Sequence, residues 1–202
     1  MNYQIDTAFG MAIKISELEL EKRVHSIEKN KIVRVWYQFV DIDSVNYNMN
    51  HFHSIDLAIY FKSENNTFYK IYWADELGLY HGYGISIKEI PLMNIDEGAF
   101  IESTNDPHWK IFIGKKIVSA RLYWQNVIDN MRDGLVPFLG MGHIRRADYP
   151  QTLEINFDDG NQVFISVLKI TNDCKCIPFT NHLSVFFQKV TIDQYYKPLR
   201  KW

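Results

Sequence analysis

The residues best suited to chemistry are two histidines in a His-x-His segment, His51 and His53. In a β-strand, side chains at positions i and i+2 point to one face, so the two imidazoles can converge on a metal ion. A third ligand would come from Asp56, His81 or His143. The predicted metal set is His51, His53 and His143. Two histidines in a loop that leads into a strand are more often surface or half-buried residues without a ligand.

The signatures of other catalytic chemistries are absent from the sequence. It contains no G-x-S-x-G, no phosphate-binding P-loop and no G-x-G-x-x-G after a strand. The scattered carboxylates form no pair at a spacing that prescribes acid–base catalysis. Cys174 and Cys176 lack a neighbouring base, and we expect reduced thiols on a loop. These features favour a protein that is not an enzyme and that needs no cofactor.

Aromatic residues are abundant, at 15% of the chain, and several stand as adjacent pairs. Neighbouring residues of a strand face opposite sides, so one ring of each pair should lie outside the primary core. Trp and Tyr are the usual anchors of protein interfaces. The candidate anchors are Trp36, Tyr72, Trp73 and Trp124. Packing of the same rings against a second layer or the other half of the chain is the alternative.

Charge and hydropathy exclude several classes of partner. The formal net charge is −2 and the isoelectric point is about 6.4, which gives no electrostatic case for nucleic acid or an anionic membrane. Residues 1–6 do not resemble a secretory signal, and no apolar run approaches the roughly 18 residues of a membrane span. We expect a cytoplasmic protein whose partner is another protein, with a homo-oligomer as a further possibility.

Alternating apolar residues predict a mainly β fold, of the α+β kind with few short helices. In the first half the predicted strands are 32–39, 55–61, 67–73 and 85–90, with an Asn-rich hairpin turn at 64–66. Residues 16–28 fit two interpretations. Ser16 and Glu19 have the form of a helix capping box, whereas alternation of apolar residues from Ile13 to Leu20 indicates a strand. The extended segment is slightly favoured.

The second half repeats this order of elements. The predictions are a strand at 117–125, an irregular connection at 127–149, a hairpin of 153–157 and 162–170, a strand at 183–187 and a short helix capped by Thr191. Short blocks of the halves also align, such as Gly84-Ile85-Ser86-Ile87 with His182-Leu183-Ser184-Val185. This pattern predicts an internal duplication, with halves 1–98 and 99–202 packed together, or one integrated domain. Two unrelated meanders would share the same alternation by chance.

Residues 149–187 resemble small uncharacterised bacterial β-rich proteins. The resemblance rests on Tyr149 to Gly160, on Phe164-Ile165-Ser166 and on Leu183 to Phe187. Some proteins of this appearance are immunity proteins, which neutralise a toxin of the same or a neighbouring cell. The resemblance implies a bacterial protein-binding module without catalysis, and it assigns no site residues. The rival hypothesis is a metal-dependent enzyme or small-ligand binder that uses His51 and His53.

Overall fold

The computed structural model describes residues 15–41, 47–49, 51–74, 84–91, 99–130, 144–171, 175–178 and 180–195, with the backbone alone at 126–130 and 144–147. The elements in chain order are α1 (Glu17–His25), β1 (Ile32–Phe39), β2 (Phe52–Ile55), β3 (Ala58–Ser63), β4 (Phe68–Ala74), β5 (Gly84–Ile90), β6 (Ala99–Glu102), α2 (Pro107–Lys110), β7 (Ile117–Asn130), β8 (Ile144–Phe157), β9 (Gln162–Ser166), β10 (Leu168–Ile170), β11 (Cys176–Pro178), β12 (Leu183–Phe186) and α3 (Lys189–Tyr195). The predicted mainly β class is confirmed. No helix in the described ranges is both long and apolar enough to cross a membrane.

Two five-stranded antiparallel sheets carry the fold. The first has the order β5-β4-β3-β1-β6, and the second has the order β2-β12-β9-β8-β7. Each sheet contains one strand from the other side of position 98, because β6 pairs with β1 and β2 pairs with β12. A two-stranded sheet of β10 and β11 accompanies the second sheet. The hydrogen-bonded sheets therefore do not follow a division at that position.

The two sheets share one apolar core. In each sheet a row of directly opposed side chains lies at its centre, formed by Tyr37, Ile59, Ile71 and Ile87 in the first and by Leu122, Leu153, Ile165 and Val185 in the second. The helical segments add buried residues to the same cluster: Leu20 and Val24 from α1, Ile27 from the turn after it, Trp109 from α2 and Phe112 from the turn after α2. Removal of this continuous apolar area from water supplies the main driving force for folding.

Strands β1, β3 and β4 of the first sheet have counterparts in β7, β8 and β9 of the second. Ile32 pairs with Ser63 as Ile117 pairs with Phe157, and in both cases the register shifts just after this pair. The hairpin turns also match, since the fourth residue of each has a positive φ: 62° at Asn66 and 83° at Gly160.

The helical segments before β1 and β7 correspond as well. Lys29 and Gly114 each have a positive φ before the strand that follows. The Lys29 N–H donates to the carbonyl of Ile117, and the Gly114 N–H donates to the carbonyl of Ile32, both at 2.8 Å. The two segments thus meet by reciprocal bonds, as an internal two-fold relation requires. An evolutionary duplication remains a prediction that this symmetry supports.

The segment near residue 20 is helical, so the favoured extended interpretation is wrong. The Ser16 side chain accepts a hydrogen bond from the Glu19 N–H, as the capping-box pattern predicts. Leu20 and Val24, one turn apart, are both buried. Residues four positions apart lie on the same face of a helix, so both side chains pack against the shared core. The alternation of apolar residues from Ile13 to Leu20, which favoured a strand, gave no sign of this face.

Other boundaries differ from the prediction. The expected strand 55–61 is two strands in different sheets, because the chain turns at Asp56 and Leu57 between β2 and β3. The connection predicted at 127–149 is shorter, since β7 and β8 continue to the pair Asn130–Ile144. The Gly and Pro residues that suggested an irregular segment all fall within 131–143, outside the described residues. Thr191 lies inside α3 and does not cap it.

Candidate functional site

His53 occupies a core position that is otherwise apolar. It lies on β2, directly opposite Val185 of β12, and so continues the central core row of the second sheet. Its side chain is fully buried, with 0% exposure. A polar ring in such a position costs folding free energy unless its nitrogens are satisfied. Its surroundings therefore determine what it does.

One nitrogen of His53 is hydrogen-bonded across the core. Its Nδ1 lies 2.7 Å from the Tyr37 hydroxyl, which also accepts a hydrogen bond from the Trp109 indole N–H. Tyr47 and Phe187 hold the imidazole edge-on, with ring centroids 5.2 Å and 4.8 Å away. The ring is thus fixed in orientation. Its second nitrogen, Nε2, is buried without a hydrogen-bond partner.

That unpartnered nitrogen faces two residues at the start of α2. Asp106 caps this short helix by accepting the His108 N–H on Oδ1 at 2.9 Å. The same oxygen lies 3.6 Å from His53 Nε2 and 3.2 Å from His108 Nδ1. One potential ligand atom from each residue falls within 4.8 Å of the others. His53, Asp106 and His108 form what we call the His53 cluster.

Burial controls the protonation of His53 and of its hydrogen-bond partner Tyr37. It lowers the pKa of His53 to about 4, because desolvation of the cation outweighs attraction by Asp106, and His108 lowers it further. Burial also raises the pKa of Tyr37 well above its ordinary value. At neutral pH the centre therefore contains a neutral imidazole beside a neutral phenol.

The predicted metal set is only partly what the structure brings together. His53 belongs to the cluster, whereas His51 is exposed and is not a member. His81 and His143 lie outside the described residues. Asp106 and His108 were missed because they lie near the predicted boundary at position 98, far from His53 in the sequence and in a segment with no strand or helix pattern. An Asp-Pro-His run, with Asp as a helix cap, was the available signal.

A second histidine joins a separate polar group on the other side of β2. Ser54 Oγ lies 2.5 Å from His182 Nε2, and His182 Nδ1 lies 3.5 Å from Asp56 Oδ1. Burial lowers the pKa of His182 to about 4 despite Asp56, and Lys169 lowers it further. This is the connectivity of a Ser-His-Asp triad. The Ser54 N–H is used by the Tyr47 carbonyl, so it cannot stabilise an oxyanion.

The outer side of the first sheet combines aromatic rings with cations. Three cross-strand rows form it: Glu102-Trp36-Tyr60-Lys70-Lys88, Phe100-Gln38-Ala58-Tyr72-Ser86 and Arg34-Lys62-Phe68-Ile90. We call this surface the basic aromatic face. Its four cations all lie over rings, at 5.2–6.0 Å from the centroids. Among these positions Glu102 is the single carboxylate.

The candidate interface aromatics divide between two environments. Trp36 and Tyr72 lie on the basic aromatic face, where Tyr72 is partly buried and Trp36 is buried with Ala58 and Tyr60. Trp124 is buried in the shared core, and Trp73 packs against that core while its indole N–H donates to the Asp56 carbonyl. Trp73 and Trp124 thus take the internal-packing alternative, and the strand alternation within the pair Tyr72-Trp73 is as predicted.

A cleft lies on the outer side of the second sheet, beside α3. Its volume is about 380 Å³, and its lining residues are Tyr123, Glu154, Gln162, Phe164, Lys189, Ile192 and Asp193. Glu154 is nearly fully buried and accepts hydrogen bonds from Tyr123 and Asn156. Lys189 is paired with Asp193 at 2.5 Å. The charged groups of this cleft are satisfied within the protein.

Comparison of the chain with protein-family models, with curated proteins and with solved structures gives no match.

Proposed function

We propose that the chain is a non-catalytic protein-binding module and that the basic aromatic face contacts the partner. The observation that carries this proposal is the direct cross-strand pairing of Lys70 with Lys88. Like charges directly opposite one another destabilise a sheet. Burial lowers the pKa of Lys70, and the charge of Lys88 lowers it further. The free protein therefore retains an arrangement that costs stability.

The chemistry of the face defines the partner. Arg34, Lys62, Lys70 and Lys88 outnumber the one carboxylate, although the chain as a whole is slightly acidic. An acidic patch on a second protein would neutralise these cations and remove the repulsion between the paired lysines. The partly buried rings of Phe68, Tyr72 and Phe100 supply rigid contact area of the kind that dominates binding energy at interfaces. The partner is thus a protein with a clustered set of Asp and Glu side chains.

The specific form of this function that the resemblance of residues 149–187 implies is immunity-type neutralisation. In that role the partner is a toxin, and the bound module blocks its activity by covering it. A protein of this kind needs a complementary surface and no catalytic group. The charge pattern of the first sheet supplies such a surface, on the half of the chain that the resemblance does not cover.

The test begins with native mass spectrometry of the protein purified from its own cells, with identification of a stoichiometric partner. Affinity is then measured by calorimetry for wild type, for Lys88→Glu and for Lys169→Glu. Lys169 is an exposed strand lysine of β10 and serves as the control. We expect Lys88→Glu to weaken binding by roughly tenfold or more, about 1.4 kcal/mol. It should also stabilise the free fold by about 0.2–1 kcal/mol, because it pairs opposite charges.

If Lys88→Glu stabilises the free protein but weakens its binding to the partner, the paired lysines serve binding and not folding. Equal affinities of Lys88→Glu and Lys169→Glu for the partner would count against the proposal. Binding of single-stranded nucleic acid with the same affinity as the protein partner would also count against it, because the face would then bind negatively charged polymers without specificity.

A further inference from the structure

We propose that His53, Asp106 and His108 bind a divalent first-row transition metal ion. The inference is independent of the protein-binding proposal, since it uses residues between the sheets and none of the basic aromatic face. Two nitrogens and one carboxylate oxygen converge on one point, from β2 and from the start of α2.

The spacing of the ligand atoms fits a small ion. Ligands that lie 2.0–2.2 Å from a tetrahedral metal stand about 3.3–3.6 Å from one another. The Asp106 Oδ1 atom is 3.6 Å from His53 Nε2 and 3.2 Å from His108 Nδ1. These two distances are close to those of ligands that share one ion, and one potential ligand atom from each of the three residues lies within 4.8 Å of the others.

The unpartnered nitrogen of His53 supplies an independent indication. The ring is fully buried, its Nε2 has no hydrogen-bond partner, and the nearest carboxylate oxygen is beyond hydrogen-bond distance. A buried polar atom without a partner destabilises the fold, because it has lost its hydrogen bonds to water. A metal ion at this point would satisfy the atom, because neutral imidazole is a common metal ligand.

The partners of the other nitrogen support the same role. Ligating histidines usually donate their second N–H to a neighbouring acceptor, which fixes the ring and its tautomer. The Tyr37 hydroxyl oxygen lies 2.7 Å from His53 Nδ1 and can accept this proton. In that tautomer the Nε2 lone pair points at the Asp106 carboxylate. A cation between the two atoms would stabilise this tautomer, because both would then donate electron pairs to it.

The three side chains of the His53 cluster differ in their exposure to solvent. The side chains of His53, Asp106 and His108 are 0%, 7% and 31% exposed. An ion would therefore enter from the side of His108, which stacks on Phe187 with centroids 4.9 Å apart. Three protein ligands leave at least one coordination position on that side for water or another small ligand.

The donor set selects the class of ion. Imidazole nitrogens suit zinc, iron and copper, whereas magnesium and calcium prefer oxygen ligands throughout. Zinc is redox-inactive and adapts to a site of three ligands plus water. It is therefore the probe for the experiment, with cobalt as its spectroscopic substitute.

The experiment uses the full chain after treatment with a chelator. Zinc is titrated by calorimetry into wild type, His108→Ala, Asp106→Asn and His51→Ala. We expect wild type to bind one ion, His108→Ala to bind at least 100-fold more weakly and Asp106→Asn at least tenfold more weakly. His51→Ala, at the exposed histidine outside the cluster, should match wild type. His53 itself is left intact, because replacement of a fully buried ring would endanger the fold.

A second measurement separates loss of a ligand from loss of folding. When loaded with cobalt, wild type and His51→Ala should show the visible absorption band of a tetrahedral cobalt ion, and His108→Ala should not. Circular dichroism should show the same secondary structure in all variants. Absence of stoichiometric zinc binding in wild type would overturn the proposal. So would a folded His108→Ala variant that binds zinc as tightly as wild type, or a loss of binding in His51→Ala.

Discussion

His53 and His182 are imidazoles that the fold holds neutral by burial, on opposite sides of the short strand β2. An unfolded histidine takes up its proton near pH 6.5. In the folded chain both take it up only near pH 4. Between these values the unfolded state binds more protons, so the free energy of unfolding falls as the pH is lowered.

The variant His182→Gln tests this dependence. The amide retains a polar group beside Ser54 but cannot be protonated, so the slope of unfolding free energy against pH near pH 5 should decrease by on the order of 1 kcal/mol per pH unit. Urea unfolding at pH 7, 6 and 5 provides the measurement. His51→Gln, at an exposed histidine, is the matched control and should retain the wild-type slope. An unchanged slope in His182→Gln would show that the buried ring of His182 does not resist protonation.

His53 could be identified from the sequence as a candidate metal ligand, but the residues around it could not. The His-x-His spacing was informative because strand alternation is a local property. Asp106 and His108 meet His53 only through the packing of α2 against the second sheet, which no local pattern encodes. The same holds for Ser54 and His182, which lie 128 positions apart in the chain.

At the scale of elements, β5 and β8 approach each other closely at Gly84. A Cβ atom at this position would lie 2.7 Å from Cγ of Pro150. Pro150 stands opposite Trp124, where the register of β7 and β8 shifts. A glycine within a strand often marks such a close approach. The contact joins a strand of the first sheet to a strand of the second.

The substitution Gly84→Ala should therefore destabilise the protein by about 1–3 kcal/mol, through overpacking between the sheets. Urea unfolding of Gly84→Ala, Pro150→Ala and the double variant measures the effect as a cycle. The double variant should lose less unfolding free energy than the two single variants lose together, because removal of the proline ring makes room for the methyl group. Additive costs would mean that the contact with Pro150 is not the source of the strain.

A helix or a strand could be predicted from the sequence wherever the apolar residues followed a single period, either that of a strand or that of a helix. Long strands such as β1 and β7 have clear alternation, and the turn at Gly160 has the expected composition. Short elements such as β6 and α2 were not predicted, because four residues are too few for a periodicity to be recognised. The helix α1 was ambiguous because nine residues hold too few apolar positions to separate two periods.

At the scale of the molecule, the two halves of the chain exchange strands. Sheet edges are completed across position 98, by β6 on the first sheet and by β2 on the second. The reciprocal bonds of Lys29 and Gly114 also cross this position. Each half alone would therefore lack an edge strand and would expose one side of the shared core.

We expect the fragments 1–98 and 99–202 to be largely unfolded alone and to assemble when mixed. The physical reason is that each fragment loses burial of core residues which only the other half covers. Circular dichroism and amide exchange of the separate and mixed fragments provide the measurement. A fragment that shows cooperative unfolding by itself would contradict this expectation and restore the division into two domains.

The position of β2 in the second sheet has a consequence for synthesis on the ribosome. Ser54 lies 128 residues before His182, its partner at the start of β12. At roughly 5–20 residues per second, about 6 to 26 seconds pass between the synthesis of these two positions. During this interval the strand with which β2 pairs, β12, has not yet been synthesised. We therefore expect this edge of the second sheet to be among the last parts of the molecule to form.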